Sequence, residues 1–423
     1  MRILVTDGDN RATLAITRSL GRAGHEVLVG EKQQPSLAQT SNACAEGVVY
    51  PDPVRQPDAF VAALVSLVRE RQVDALLPVS DITTFLVAGH RHLFPEQCGV
   101  PFPTLEALEH AADKVGVVDR AVRLGLPVPQ SVVIAGPDAP IPALPFPYPV
   151  VVKPRQSRVR TSAGWVSSAV SYAADAESLR RNLSARPAHE FPLMVQERIE
   201  GPGVGVFACY DRGRPVALFS HRRLRERPPW GGVSVLSESA PLDPAARDAA
   251  VRLLDDLHWH GVAMVEFKRD LRDGQPKLME INGRFWGSLQ LAIDAGVDFP
   301  ALLVGTLDPT AAPPAPVPYH LGVRSRWFWG DVDSLLLTLV GGRRAPAGFR
   351  PRRLHAVAAF LALRGRELHW ENPRWDDRGP WWYETRRRLG FGPPRPSQAT
   401  PASAGVAPVS RPPGQRPSGQ QVP

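Results

Sequence analysis

The chain has 423 residues, 43% of them hydrophobic and 22% charged, enough to bury a real core divided into two or three units. The formal net charge is +8 and nearly all basic residues are Arg, a bias that a GC-rich genome explains as readily as an anionic partner, so a nucleic-acid role is discounted. Three scattered cysteines (Cys44, Cys98 and Cys209) offer neither a disulfide framework nor zinc spacing.

In chain order, RILVTDG (2–8) is a short apolar strand running into a turn. RATLAITRSLGRAG then reads as an amphipathic helix closed by Gly24, and HEVLVGE (25–31) as a second strand. A helix over 59–72 leads into the strand VDALLPVS (73–80), with Ser80 and Asp81 just past its end. Alternating strands and helices imply a parallel, doubly wound sheet, whose ligands lie at the carboxyl ends of the strands. The first loop, TDGDNRA, is not the GxGxxG of a dinucleotide site. The opening carries no signal-peptide pattern, and no apolar run is long enough to span a membrane. The expectation is a cytoplasmic protein without stable membrane insertion.

From about residue 101 the texture changes. TLEALEHAADKVGVVDRAVRLGLPVPQ predicts one or two helices, ended by Gly125 and the prolines at 127 and 129. The strand YPVVVKP is followed by a basic loop, RQSRVRTSAG (155–164), and a helix over 174–186. LMVQERIEGPGVGVFACYDRGRPVALFSHRRL reads as strand, turn and hairpin, and 244–259 as a helix. Beyond 309 the prolines thicken around two short helices, DVDSLLLTLV and LHAVAAFLALRG. Trp327, Trp329, Trp370, Trp375, Trp381 and Trp382 are expected to pack against the main body, and 391–423 to be a disordered Pro-rich tail.

The informative stretch is VAMVEFKRDLRDGQPKLMEINGR, two strand-like runs about the turn signal RDGQ. Centring the hairpin on Asp273 puts Glu266 opposite Glu280 and Met264 opposite Asn282, with Arg284 further along the same face. Val265 and Phe267 then share the buried face with Met279 and Ile281, a sorting that a one-residue slip would destroy. Carboxylates directly opposite one another repel and call for a compensating cation. Two carboxylates and a carboxamide are hard oxygen donors suited to Mg2+ with substrate phosphates, and Arg284 can take a phosphate bidentately. The plain alternative is a half-buried strand whose polar face meets only water.

These residues resemble the ATP-grasp superfamily, in its carbamoyl-phosphate-synthase-like and carboxylate–amine ligase branches. Glu266 in MVEF, Glu280 and Asn282 in MEIN, and Arg284 resemble its metal-binding end. Lys153 resembles the strand lysine on the nucleotide phosphates, and Lys114 in ADKVGVVDRAVRLGLPVP the earlier nucleotide lysine. MVQERIEG resembles the hinge over the adenine, with Gln196, Glu197 and Ile199. HRRLRERPPWGGVSV, with His221, Arg222 and Arg223, resembles the region that meets phosphate or acyl phosphate; its plain alternative is an exposed basic hairpin. The order and spacing agree over roughly residues 1–305. Two features depart from the pattern. The loop after Lys153 has one glycine, and its Arg155, Arg158 and Arg160 either substitute as charges on phosphate or grip a substrate carboxylate. The usual acidic ribose ligand after the hinge is replaced by GPGVGV, with Glu200 the nearest acid.

The resemblance implies an α/β chain: a Rossmann-like pre-ATP-grasp domain (1–100), an ATP-grasp α+β domain (101–308, lid about 130–195), a C-terminal extension rich in Trp and Arg (309–390) and the tail. It implies a ligase that uses ATP and Mg2+, with Mn2+ as the alternative ion, to activate a small-molecule carboxylate as an acyl phosphate and join it to an amine. Catalysis would fall to Arg284 and Arg223, nucleotide binding to Lys114, Lys153, Gln196, Glu197 and Ile199, and metal binding to Glu266, Glu280 and Asn282. Ser80, Asp81, His221 and Arg222 are the substrate candidates, and a homodimer is compatible with the pattern. Two competing readings are a bicarbonate-activating enzyme and a nucleotide-binding scaffold without turnover. Against the first stand the single ATP-grasp copy and the lack of an amidotransferase domain.

Overall fold

The computed structural model describes residues 1–161, 164–308, 310, 318–340, 352–362 and 367–391. Most of the expected tail, 392–423, lies outside the described residues. The N-terminal unit comprises β1 (Arg2–Val5), α1 (Arg11–Arg22), β2 (Glu26–Glu31), β3 (Glu46–Val49), α2 (Pro57–Glu70), β4 (Ala75–Leu77) and α3 (Asp81–Gly89). Its four strands are all parallel, in the order β3-β2-β1-β4. Helices cover both faces, so β1 and β2 are continuous apolar runs rather than alternating ones. The Asn10 side chain accepts from Ala12 N at 3.0 Å to start α1, and Ser80 and Thr83 form a capping box that starts α3. Asp7 accepts from Ser80 N (3.0 Å) and Thr83 Oγ1 (2.6 Å), fixing the β1 loop to the head of α3.

The expected helix after residue 104 is two helices, α4 (Leu105–Ala112) and α5 (Lys114–Arg123). The break is Asp113, extended at ψ 96°, whose carboxylate accepts from Val115 N and Gly116 N at 3.1 Å and so caps α5. Next come β5 (Ser131–Ile134), β6 (Val150–Pro154), the hairpin β7 (Arg158–Thr161) and β8 (Gly164–Ser167), β9 (Ser171–Ala173), α6 (Ala176–Ser184) and β10 (Leu193–Glu197). β5, β10, β6 and β9 make an antiparallel sheet in that order, closed on α6 by Leu179 and Leu183.

The third sheet has seven strands: β11 (Gly203–Asp211), β12 (Arg214–Arg227) and β13 (Val233–Ser239), then, after α7 (Pro244–Asp256), β14 (Gly261–Arg269) and β15 (Pro276–Asn282). Helices α8 (Leu289–Asp294) and α9 (Phe299–Gly305) precede β16 (Arg324–Arg326). The last described elements are α10 (Phe328–Val340), α11 (Arg353–Leu361), β17 (Leu368–Trp370) and α12 (Gly379–Arg388). Val206, Ala208, Val265, Phe267 and Ile281 bury one face of the sheet against α4, α5 and α7. Phe207, Phe219 and Met264 on the other face join Phe285 and Trp286 in the core of the N-terminal unit. This two-sided burial sets the charged end of the β14–β15 hairpin in a cleft shared by all three sheets.

Two expectations are corrected. A bulge between Glu266 and Phe267 pairs Phe267 with Leu278, so Leu278 takes the core position and Met279 becomes the extra, half-buried residue. Of the six tryptophans, Trp327 is buried and Trp329 stacks on Trp381 at 5.8 Å, but Trp375 and Trp382 are exposed. Trp375 rests under the Arg378 guanidinium at 5.4 Å, in a loop that no core face covers.

The last described segment returns to α1. Arg18, buried, donates to Asp377 Oδ2 (2.7 Å) and to the carbonyls of Glu371 (2.6 Å) and Asn372 (2.9 Å). Ser41 Oγ donates to the same carboxylate at 2.7 Å. Arg11, two turns earlier on α1, pairs with Glu371 and lies over the Trp327 ring at 4.2 Å. Removing one member of a buried, saturated ion pair strands the other without solvent. Asp377→Ala should therefore destabilise the protein by about 3–5 kcal/mol, read as a lower urea midpoint. An unchanged midpoint would show that Arg18 finds water or another partner.

Candidate active site

The hairpin register places Glu266 across from Glu280 and Met264 across from Asn282. Asn282 Nδ2 donates to Glu266 Oε1 at 3.1 Å, and Arg223 on β12 donates to Glu266 Oε2 at 2.9 Å. Lys114 lies 3.7 Å from Glu280 Oε2 and donates to Ser157 Oγ at 2.7 Å, while its backbone N–H holds the Arg155 carbonyl at 2.9 Å. Arg284 donates from Nε to Asp81 Oδ1 at 2.8 Å and from Nη2 to Asn282 Oδ1 at 3.4 Å. Lys153, buried at the end of β6, senses Glu280, Lys114, Lys268 and Glu266 electrostatically. Four separate parts of the chain thus deliver cations around one pair of carboxylates.

The charges respond as this crowding requires. Burial raises the Glu266 carboxyl, opposed by Arg223 and reinforced by Glu280. Burial also works against ionised Glu280, but Lys114 and Lys153 outweigh it and hold that carboxyl low. Burial brings Lys153 down to about 8. The donor set fits a hard divalent cation: the two carboxylates and the Asn282 carbonyl oxygen share one end of the hairpin, with no nitrogen or sulfur ligand among them.

Residues 189–329, which contain this constellation, match the family described as ATP-grasp in the biosynthetic pathway with Ter operon. The chain has an ATP-grasp fold. Its fold is similar to that of biotin carboxylase from Campylobacter jejuni, with a TM-score of 0.59 and 17% identity over 76% of this chain and 74% of that one. It is also similar to L-amino acid ligase from Bacillus licheniformis, with a TM-score of 0.53 and 16% identity over 72% of this chain and 73% of that one. A third likeness is to the biotin carboxylase domain of Hydrogenobacter thermophilus 2-oxoglutarate carboxylase, in complex with MgADP and bicarbonate. Its TM-score is 0.55, with 15% identity over 75% of this chain and 72% of that one. No curated protein sequence matches the chain.

The remaining predicted residues fall into four groups. Gln196 and Glu197 close β10, opposite β6: Gln196 donates to Ser131 Oγ at 2.9 Å, and Glu197 accepts from Gln130 N at 2.9 Å and pairs with Arg272 at 2.8 Å. Ile199 is buried and its carbonyl accepts from Lys268 Nζ at 3.2 Å. Ser80 is engaged as the cap of α3, whereas its neighbour Asp81 reaches the cluster through Arg284. His221 and Arg222 do not join the cluster. His221 stacks on Phe207 at 4.6 Å and shares a 2.9 Å hydrogen bond with Ser288, and burial, with help from Arg223, pushes it down to about 3. Arg222 points to the opposite side of β12, where it and Arg324 hold the buried Glu238 at 2.8 and 2.6 Å. In the basic loop, Arg155 pairs with Asp113 (2.6 Å) and Arg160 with Asp58 (2.8 Å). Both have protein partners rather than being held open for an anion.

Sequence reasoning missed Lys268, Asp113 and Ser157. One signal was available: the chain has five lysines against 45 arginines, and Lys114, Lys153 and Lys268 all lie around this cleft. Where Arg is the default cation, a Lys marks a place that needs a compact charge or a shiftable proton.

Lys153 sits below its ordinary value, so it is charged beneath about pH 8 and neutral above. The unfolded chain holds that proton to higher pH, so burying the ammonium opposes folding below about 8 and ceases to do so as pH rises. Anion binding runs the other way. ADP affinity should fall about tenfold between pH 8 and 9 in calorimetric titrations, and Lys153→Arg should flatten that dependence. A flat wild-type profile would remove Lys153 from the phosphate site.

Proposed function

We propose that this ATP-grasp chain is an ATP-dependent carboxylate–amine ligase. The observation that carries the reading is the cross-strand pair Glu266 and Glu280 with Asn282, ringed by Lys114, Lys153, Arg223 and Arg284. Such a ring suits a triphosphate with its metal. Its acidic floor lies on the seven-stranded sheet, and Lys114 and Lys153 come to it from α5 and β6, outside that sheet.

Glu266, Glu280 and Asn282 would hold Mg2+, or Mn2+ in its place; the ion supplies charge neutralisation on the β- and γ-phosphates. Lys153 and Lys114 bind the phosphates from the lid side, and the β10 hinge from Gln196 to Ile199 borders the base. An oxygen of the substrate carboxylate attacks the γ-phosphorus, the bond to the bridging oxygen breaks, and ADP leaves. The amine nitrogen then attacks the acyl carbon, inorganic phosphate departs, and the amine's proton passes to solvent. Arg284, braced by Asp81, steadies the transferring phosphoryl group and the tetrahedral centre, and Arg223 the acyl phosphate. His221, neutral and packed on Phe207, takes no proton in this scheme.

ADP release by the purified protein with Mg-ATP, across pools of amino acids, other carboxylates and bicarbonate with and without amines, tests this directly. Release should depend on an acid, and Glu280→Ala should lower it at least about 100-fold, the scale of losing an electrostatic group that acts in the transition state. Release with bicarbonate alone would favour carboxylation, and tight ATP binding without release from any pool would favour a non-catalytic binding role.

A further inference from the structure

The cleft just described leaves unused a cavity of about 570 Å3 between the loop after β2 and α12. It is walled by Pro35 and Thr40 from the loop after β2 and by Trp382, Tyr383, Arg386 and Phe391 from α12 and its end. Its volume is within the range of small-molecule sites, and its position, beyond the carboxyl end of a parallel strand, is where open α/β sheets receive ligands.

The cavity exists because α12 is held hard against the loop. A Cβ on Gly379 at the head of α12 would collide with the Thr40 carbonyl, so only glycine allows the approach. At the other end, Gly390 adopts φ +85° and Phe391 N donates back to the Arg386 carbonyl at 2.9 Å, a Schellman closure that folds Phe391 over the last turn. Trp382 and Phe391 remain largely exposed, facing an opening rather than a core.

Two aromatic–arginine pairs occupy this stretch of α12 at i, i+4 spacing, and they are treated differently. Tyr383 and Arg387 both bind Asp9, at 3.0 and 2.9 Å, with the guanidinium 5.6 Å from the ring centre. Trp382 and Arg386 repeat the spacing, yet among the described residues Arg386 has no ion-pair or side-chain hydrogen-bond partner, and no carboxylate is among those lining the cavity. An anion is the missing element, and the flat apolar walls select what it is attached to.

We propose that this cavity binds a small planar aromatic molecule carrying a carboxylate or phosphate, its ring against Trp382 and Phe391 and its anion on Arg386. The site is separate from the nucleotide cleft and does not rest on the ligase reading. A charge-assisted contact to a partly exposed arginine strengthens binding about tenfold.

The test is calorimetric titration of the full chain, first saturated with Mg-ADP, using 1-naphthyl phosphate, neutral 1-naphthol and AMP as probes. Naphthyl phosphate should bind once per chain, with affinity reduced about tenfold by Arg386→Gln and also weakened by Trp382→Ala, whereas 1-naphthol should be indifferent to Arg386→Gln. Competition by AMP would assign the site to nucleotides, and its absence to free aromatic acids. Arg386→Gln should leave the thermal midpoint and ADP release unchanged, so that lost binding is not lost fold. Equal affinity of wild type and Arg386→Gln for naphthyl phosphate, or 1-naphthol binding as tightly as the phosphate, would overturn the proposal.

Discussion

Everything at the cleft follows from one unfavourable juxtaposition, two glutamates set directly opposite each other on neighbouring strands. Like charges in that position repel, and the chain answers by bringing in cations from elsewhere rather than by removing either acid. Arg223 comes from the next hairpin, Lys114 from the head of a helix, Lys153 from the lid sheet, and Arg284 extends the carboxylate strand itself toward Asp81. The Arg223–Glu266 and Arg284–Asp81 pairs are partly exposed, and each is worth no more than about 1 kcal/mol to folding. The apolar faces of the seven-stranded sheet are what hold the units together. The charge cluster is carried by the scaffold, which leaves it free to exchange its partners for a ligand.

What could be read in advance divides along physical lines. The Glu266–Glu280 register was legible because any slip would have turned acids into the core. The bulge was not, since Leu278 and Met279 are adjacent apolar residues and either satisfies an alternating pattern. Arg222 and Arg223 are indistinguishable by type, and only the pleat decides which reaches Glu266 and which turns to Glu238. Lys114 carries no local mark of burial; Asp113 breaks the helix and makes it the first residue of a new one, turned toward Ser157. The return of the last segment to α1 left no local trace, because its partners are separated by most of the chain.

The departures in the loop after Lys153 also acquire a cause. A glycine-rich loop wraps phosphate with its own backbone, but here the segment is a hairpin with an architecture of its own. Arg155 ties its start to Asp113, Arg160 ties its strand to Asp58, and Trp165 N donates to the Val54 carbonyl at 3.1 Å. Gly164, at φ +109°, is needed where that strand passes over the N-terminal unit. The arginines fasten this segment at two sides, which under the proposed function leaves the phosphates to Lys114 and Lys153.

Arg18 and Asp377 are 359 residues apart, yet they close the same buried pocket. A chain leaving the ribosome makes its first parallel sheet long before its last helix, at roughly 5–20 residues per second. For all that time α1 presents to water a guanidinium whose final partners have not been made. The Arg18 site is therefore completed only once residues 371–377 have been made. That closure spans nearly the whole chain, and any product cut short before residue 371 leaves Arg18 on the first helix without these partners.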